Sequence, residues 1–550
     1  MNASRASLTA SLLALLLAAA TAEAQAPGPV QGQVPSQVPN QIPNFDDRTT
    51  GFLTARTGGM KADAWAGTSL ATAKNLVSAL PAAPRSRALR DLQFKVLVSE
   101  LTPPRADGSP PPSLFTRKVE KLAAMGEGES LNEMVRSANC YADPVVASAV
   151  ANALMMAGER DGACAIVRTW PLIEPFARRA DIACKLAAGD GAGAMAAAAA
   201  VRTSDPNLAR LAEVAAGGLP PSAAPPNQID GPAMVMMDLA HVQPNATLLR
   251  SNQPPVIRAL VGLRTLPIAT RLEIAERGEA LAIIEATRLG DLYSEAVRDR
   301  ANLPAPMARR ARLVVAAKNA NGADEVMRSI ADVYSESRGS PLFPTIARAS
   351  AAGLLNLPAN PQYANVAQEA MRGFLLLGDK QRTLAWTRLA LDAARNNARA
   401  LLALDKLMPL VAIAGIDNPQ RLPPAEIDRW YELLRDEDAA RAPLRGYLLL
   451  ELFRATGMNL PAGATQLPEY PPGNARLIMP NASTLQAMAA AAAGRRPAET
   501  ALLASIAAGE TALNELHPAG VAAIVRALIQ AGEDHAARLF AIEVAIAHGL

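Results

Sequence analysis

Cysteine is nearly missing from this sequence. Three occur in 550 residues, and no two stand at the spacing of a metal finger. An odd number leaves at least one thiol without a partner in its own chain. Histidine is as scarce. His241, His517, His535 and His548 make up the set, and no pair has the i, i+4 spacing that puts two imidazoles on one helix face for zinc. Aromatic residues amount to 4%, and Trp170, Trp386, Trp430 and Tyr431 are too scattered to suggest a sugar-stacking platform. Strong charge of one sign is absent as well. Lys and Arg number 54 against 51 Asp and Glu, the signs are interleaved, and no basic stripe of the kind nucleic acid requires is present. Past the amino terminus no run reaches the ~18 uncharged apolar residues of a membrane-spanning helix. The glycine-rich run Gly189-Asp190-Gly191-Ala192-Gly193 lacks the preceding strand, the lysine and the spacing of a phosphate loop. No catalytic, metal-binding or cofactor-binding residues are therefore nominated.

Alanine is abundant. The chain is 50% hydrophobic, alanine supplies much of that share, and strand-forming residues are not enriched, so an all-α fold is expected. The amino terminus has the order of a secretory signal: Arg5, an apolar run over 8–20, then the small-x-small sites Ala22-Glu23-Ala24 and Ala24-Gln25-Ala26. Residues 1–26 are assigned to it, with cleavage near Ala24 or Ala26 and a periplasmic or secreted destination. Residues 27–63 follow as a linker. Gln33-Val34-Pro35, Gln37-Val38-Pro39 and Gln41-Ile42-Pro43 repeat there, and proline at that spacing favours an extended, semi-stiff tether.

The remainder divides at two Pro/Gly-rich breaks, 216–232 and 457–474. They separate helical segments at 64–215, 233–456 and 475–550, because Gly217-Gly218 and paired prolines cannot sit inside helices. Residues 366–394 show the building unit. Val366, Ala370, Phe374 and Leu377 recur at helical spacing, Gly378-Asp379 forms a turn, and Ala385, Leu389 and Ala393 resume the pattern. Similar turns are expected at Gly158, Gly189, Gly290, Gly494 and Gly532. A helix is expected over 268–290, and no segment shows convincing period-two alternation.

At Gly158, Gly189 and Gly532 the glycine is followed by an acidic residue, and by Ala163, Ala194 or Ala537 five residues on. Pro175 and Pro206 each lie 17 residues after their glycine. Over 143–206 these positions resemble the turn, small packing residue and closing proline of tetratricopeptide-type hairpins, whose period is about 34. Ile182, Met371 and Val525 depart from that family by standing where it favours a small residue. The resemblance implies helical hairpins stacked as an α-solenoid or superhelix, with a groove that holds a peptide or partner protein.

Cys164 and Cys184 are equidistant from Glu174 in the connection between successive hairpins, which makes them a disulfide candidate. Buried free thiols are the alternative reading. Asp238 and His241, three apart, suit a surface hydrogen bond, and Met234, Met236 and Met237 suit core filling. The functional expectation is a non-catalytic periplasmic scaffold binding a protein or cell-envelope component. The alternatives are an envelope-acting hydrolase or lyase on an α/α-toroid or superhelical scaffold, with glycan or peptidoglycan as substrate, and a permanent part of an envelope or secretion assembly.

Overall fold

Serine, aspartate and asparagine set where the helices begin. Asp143 accepts from the amides of Val145 and Val146, Asp379 from Arg382, and Ser86 from Leu89. Each satisfies a donor that a helix start leaves open. Proline occupies the first position of Pro144–Ala157, Pro206–Ala215 and Pro518–Gln530, where its fixed φ suits the helix and no amide is missed. The computed structural model describes residues 46, 48–217, 229–320, 322–337, 340–416, 422–458, 460–461, 463–473 and 476–550. The expected signal peptide and most of the linker lie outside the described residues, as does the middle of the 216–232 break.

Among the described residues every regular element is helical: 28 α-helices with short 3-10 turns. Extended backbone pairs only at isolated bridges, such as Thr50 with Leu101 and Ile478 with Leu516. Neighbouring helices pack as antiparallel pairs. Pro144–Ala157 pairs with Arg160–Thr169, Phe176–Ala187 with Gly191–Val201, Ala367–Leu376 with Lys380–Ala394, and Pro518–Gln530 with Asp534–Ala547. In the third pair Gly378 takes φ +67, a left-handed turn that a Cβ would penalise, and Phe374 and Trp386 are buried on the facing sides. Gly158, Gly189 and Gly532 also fall in left-handed turns. At Gly494 the left-handed position is Arg495, one residue later.

Three expectations are corrected. Gly290 is not a turn: it lies inside Ala286–Arg298, and a Cβ there would stand 3.2 Å from the Ala349 carbonyl, so it serves close helix approach. The helix expected over 268–290 ends at Ala280, where the apolar run Leu281-Ala282-Ile283-Ile284 makes a buried turn with Ala282 at φ +57. The linker stops short of 63. Phe52 and Leu53 donate to the Val98 carbonyl, Met60 donates to Ser99 Oγ, and Met60 is buried. The helix Pro206–Ala215 extends the second hairpin beyond the proline read as its end.

The breaks do not isolate the segments on either side. Gly231–Leu239, which follows the first break, packs on Pro144–Ala157 and Phe176–Ala187. The first and last helices also meet. Leu70–Ala79 and Arg87–Val98 pack against Pro497–Ala508, and Arg87–Val98 packs against Asp534–Ala547. Polar ties run along this closure. Thr68 Oγ1 donates to Glu499 Oε2 at 2.8 Å, Ala498 N to the Ala64 carbonyl at 3.2 Å, and Ala83 N to Glu510 Oε1 at 3.0 Å.

Candidate functional site

The Gly378 turn rests on the last helix. A Cβ at Gly378 would stand 3.0 Å from His535 Cε1 and 3.5 Å from Leu539 Cδ2, so a side chain there would crowd His535 as well as strain the left-handed turn. Where this turn, the end of Met408–Ile413 and Asp534–Ala547 converge, a shallow crevice opens to solvent. Phe374, Leu375, Ile416, Leu539 and Ile542 supply its apolar lining. Its rim is charged. Lys380 Nζ lies 3.1 Å from Asp534 Oδ2, and Arg538 donates to Asp534 Oδ1 at 2.7 Å and to the Ile413 carbonyl at 2.9 Å. The crevice encloses only about 20 Å³, so it is a shallow apolar patch ringed by charge, too small to bury a small-molecule ligand, whose sites commonly enclose ~300–1,000 Å³.

A second feature lies at the closure. Glu279 is fully buried in Ile268–Ala280, where Arg348 reaches it at 2.6 and 3.0 Å and Arg87 at 3.3 Å. Burial alone would raise its carboxyl, but the Arg348 and Arg87 guanidiniums overcome that and hold it below the usual carboxylate range. Alongside, Glu127 is shared by Arg90 and by Arg258, the latter at 2.8 Å. Glu543, on the last helix, is likewise buried. It accepts from Ser86 Oγ at 2.5 Å and from the Ala88 amide at 3.2 Å. Burial raises this carboxyl to about 7, although Ser86, Arg348 and the Ala88 amide all favour the ionised form. Asp91, one turn beyond Arg87, is solvent-exposed, with protein crowded around it. That crowding lifts it to about 6 against the pull of Arg87.

These arrangements differ in chemical potential. Glu279 and Glu127 are spent on arginines and Glu543 on a helix start, so each joins helices far apart in the chain. Asp91 alone in this cluster makes no hydrogen bond among the described residues. No group of three or more His, Cys, Asp or Glu among the described residues is placed to hold a metal ion.

The residues nominated from sequence are distributed as follows. Cys164 and Cys184 form a disulfide, with Cα atoms 5.5 Å apart, between Arg160–Thr169 and Phe176–Ala187. Cys140 is buried and free, its thiol pushed up to about 12 by that burial. Asp238 turns away from His241 to pair with Arg160. Met234, Met236 and Met237 are core residues. Trp386, Trp430 and Tyr431 are buried, whereas Trp170 stacks on Tyr141 with ring centroids 5.8 Å apart. Sequence reading missed both the crevice and the closure cluster, because each gathers residues from widely separated segments and neither leaves a local motif. Among the described residues no helix is long and apolar enough to cross a membrane. Comparison of the chain with protein-family models, with curated proteins and with solved structures finds no match.

Proposed function

We propose that this chain is an exported helical-repeat scaffold of tetratricopeptide-like character that binds a partner protein in the cell envelope. The single observation that supports this reading most is the crevice between the Gly378 turn and Asp534–Ala547. Its apolar lining and charged rim suit a polypeptide segment that lays an apolar side chain over Ile416 and Leu539 and keeps its polar groups at the rim. The export signal read from the first 26 residues supplies the location. The partly exposed Leu539 is the position to probe, since a charge there meets any apolar anchor directly.

Immobilised wild-type protein is expected to capture a saturable partner from envelope extract, and Leu539→Glu to lose it while keeping its helical circular dichroism. Equal capture by both proteins, or no saturable partner for the wild type, removes the basis for this reading. Size-exclusion chromatography with light scattering on native material separates reversible binding from permanent assembly.

A further inference from the structure

Besides apolar packing and the Lys95–Glu533 pair, one buried side chain ties the helix Asp534–Ala547 to the other end of the chain. Glu543 is buried, and its carboxylate faces the first turn of Arg87–Val98. Ser86, the N-cap of that helix, donates to Glu543 Oε2 while its own oxygen accepts from the Leu89 amide. The Ala88 amide points at both carboxylate oxygens, at 3.2 and 3.4 Å. A carboxyl group of the last helix thus completes the cap of a helix near the start of the chain.

We propose that Glu543 is a proton-operated latch between the first and last helices, holding Arg87–Val98 against Asp534–Ala547 more tightly when the carboxyl is protonated than when it is ionised. The physical cause is burial. An ionised carboxylate at this depth gives up its hydration, and two hydrogen bonds with two nearby arginines do not fully replace it. Opening the latch returns the group to water, where it ionises freely.

The charges facing Glu543 are Arg87 on the capped helix and Arg348 on Phe343–Ala349, with Glu279 and Asp91 acting on Arg348 from behind. The other helices packed on this one carry Glu369 and Arg372, Arg445, Glu451 and Arg454, Glu515, and Arg526, and the capped helix also carries Arg90 and Lys95. The latch is local in its effect, and overall stability is a poor readout for it. His548, five residues on, is buried and pushed down to about 4. Its neutral form therefore stabilises the fold above pH 6.5, and that contribution is lost as pH falls toward 4. Glu543 acts in the opposite sense, stabilising the fold fully below its ordinary value of 4.5 and losing that contribution as pH rises to about 7. The two trends largely cancel between pH 4.5 and 6.5.

Native-state hydrogen exchange of the full chain, without any partner, isolates the latch. With the carboxyl at about 7 closed and 4.5 open, opening of Arg87–Val98 is expected to be about 70-fold more favourable at pH 8 than at pH 5. The helix Pro144–Ala157 serves as reference and is expected to show no such change. Glu543→Gln, which keeps the shape and removes the ionisation, is expected to remove most of the pH dependence, leaving the separate, roughly tenfold share of Asp91 on the same helix. Ser86→Ala keeps the carboxyl, deletes the hydroxyl that favours its ionised form, and is expected to move the midpoint to higher pH. A pH response shared equally by both helices, one that survives undiminished in Glu543→Gln, or an unmoved midpoint in Ser86→Ala overturns the proposal.

Discussion

Replacing Lys118 by Met is expected to stabilise this protein at neutral pH. Lys118 lies in the middle of the buried face of Leu114–Ala124 and is 2% exposed. Among the described residues no carboxylate or carbonyl accepts a hydrogen bond from its ammonium. Desolvation lowers its pKa from 10.5 to about 8. The folded chain therefore binds this proton less readily than the unfolded chain, and the sign follows. The deficit is absent well above pH 10.5, grows as pH falls toward 8, and is complete below 8. A difference of 2.5 pH units corresponds to about 3 kcal/mol at pH 7, falling to about 1.4 kcal/mol at pH 9.5. Methionine fills similar space with no charge to desolvate. Equilibrium unfolding of wild type and Lys118→Met between pH 7 and 10 measures the gap directly. A gain that does not shrink with rising pH would show that packing, not a buried charge, is responsible. A loss of stability at pH 7 would refute the reasoning outright.

The remaining expectations concern the closure, the disulfide and two glycines. Glu279→Ala leaves Arg348 and Arg87 without their buried anion and is expected to cost about 3–5 kcal/mol in urea unfolding; a change below 1 kcal/mol would mean the two guanidiniums find other partners. Cys164 and Cys184 close a 20-residue separation, so the double serine variant is expected to lose about 3 kcal/mol relative to the oxidised protein. Non-reducing peptide mapping that finds both as free thiols sinks the pairing. Gly231→Ala places a Cβ 2.5 Å from Met155 Cβ and 2.6 Å from the Asn152 carbonyl, and is expected to cost about 1–3 kcal/mol. Gly262→Ala, at an exposed helix end with nothing within 4 Å, is expected to gain about 0.4–1 kcal/mol. Thermal unfolding of the two variants side by side tests the opposite signs.

Local rules carried the fold reading wherever a connection was short and polar. Gly378 followed by Asp379 states a left-handed turn and a helix cap in two letters, and the flanking helices stand where their apolar spacing put them. The same rule misread Gly290, because a glycine that lets two backbones approach looks identical, in sequence, to one that turns the chain. The true turn, Leu281-Ala282-Ile283-Ile284, is apolar throughout because it is buried, and apolar runs of that length read as helix. Pro206 was ambiguous for a related reason: proline ends one helix and begins another equally well.

The sites were not legible at all, and the cause is chain separation. The crevice needs Phe374, Ile416 and Leu539 together, yet each sits in its own segment as an ordinary core-facing residue. The closure is harder still. Arg87, Glu279, Arg348 and Glu543 are spread over most of the chain, and charged residues on helices are normally read as a solvated face. A buried charge is tolerated only where its partners are supplied by other elements, so its neighbourhood in sequence carries no mark of it. Helical hairpins can be stacked from local information alone, one neighbour at a time. Bringing the first helices against the last cannot, and there the chain places arginines and glutamates whose desolvation is offset only in the assembled fold. That makes the closure a part of the molecule in which charge, and therefore pH, bears directly on packing.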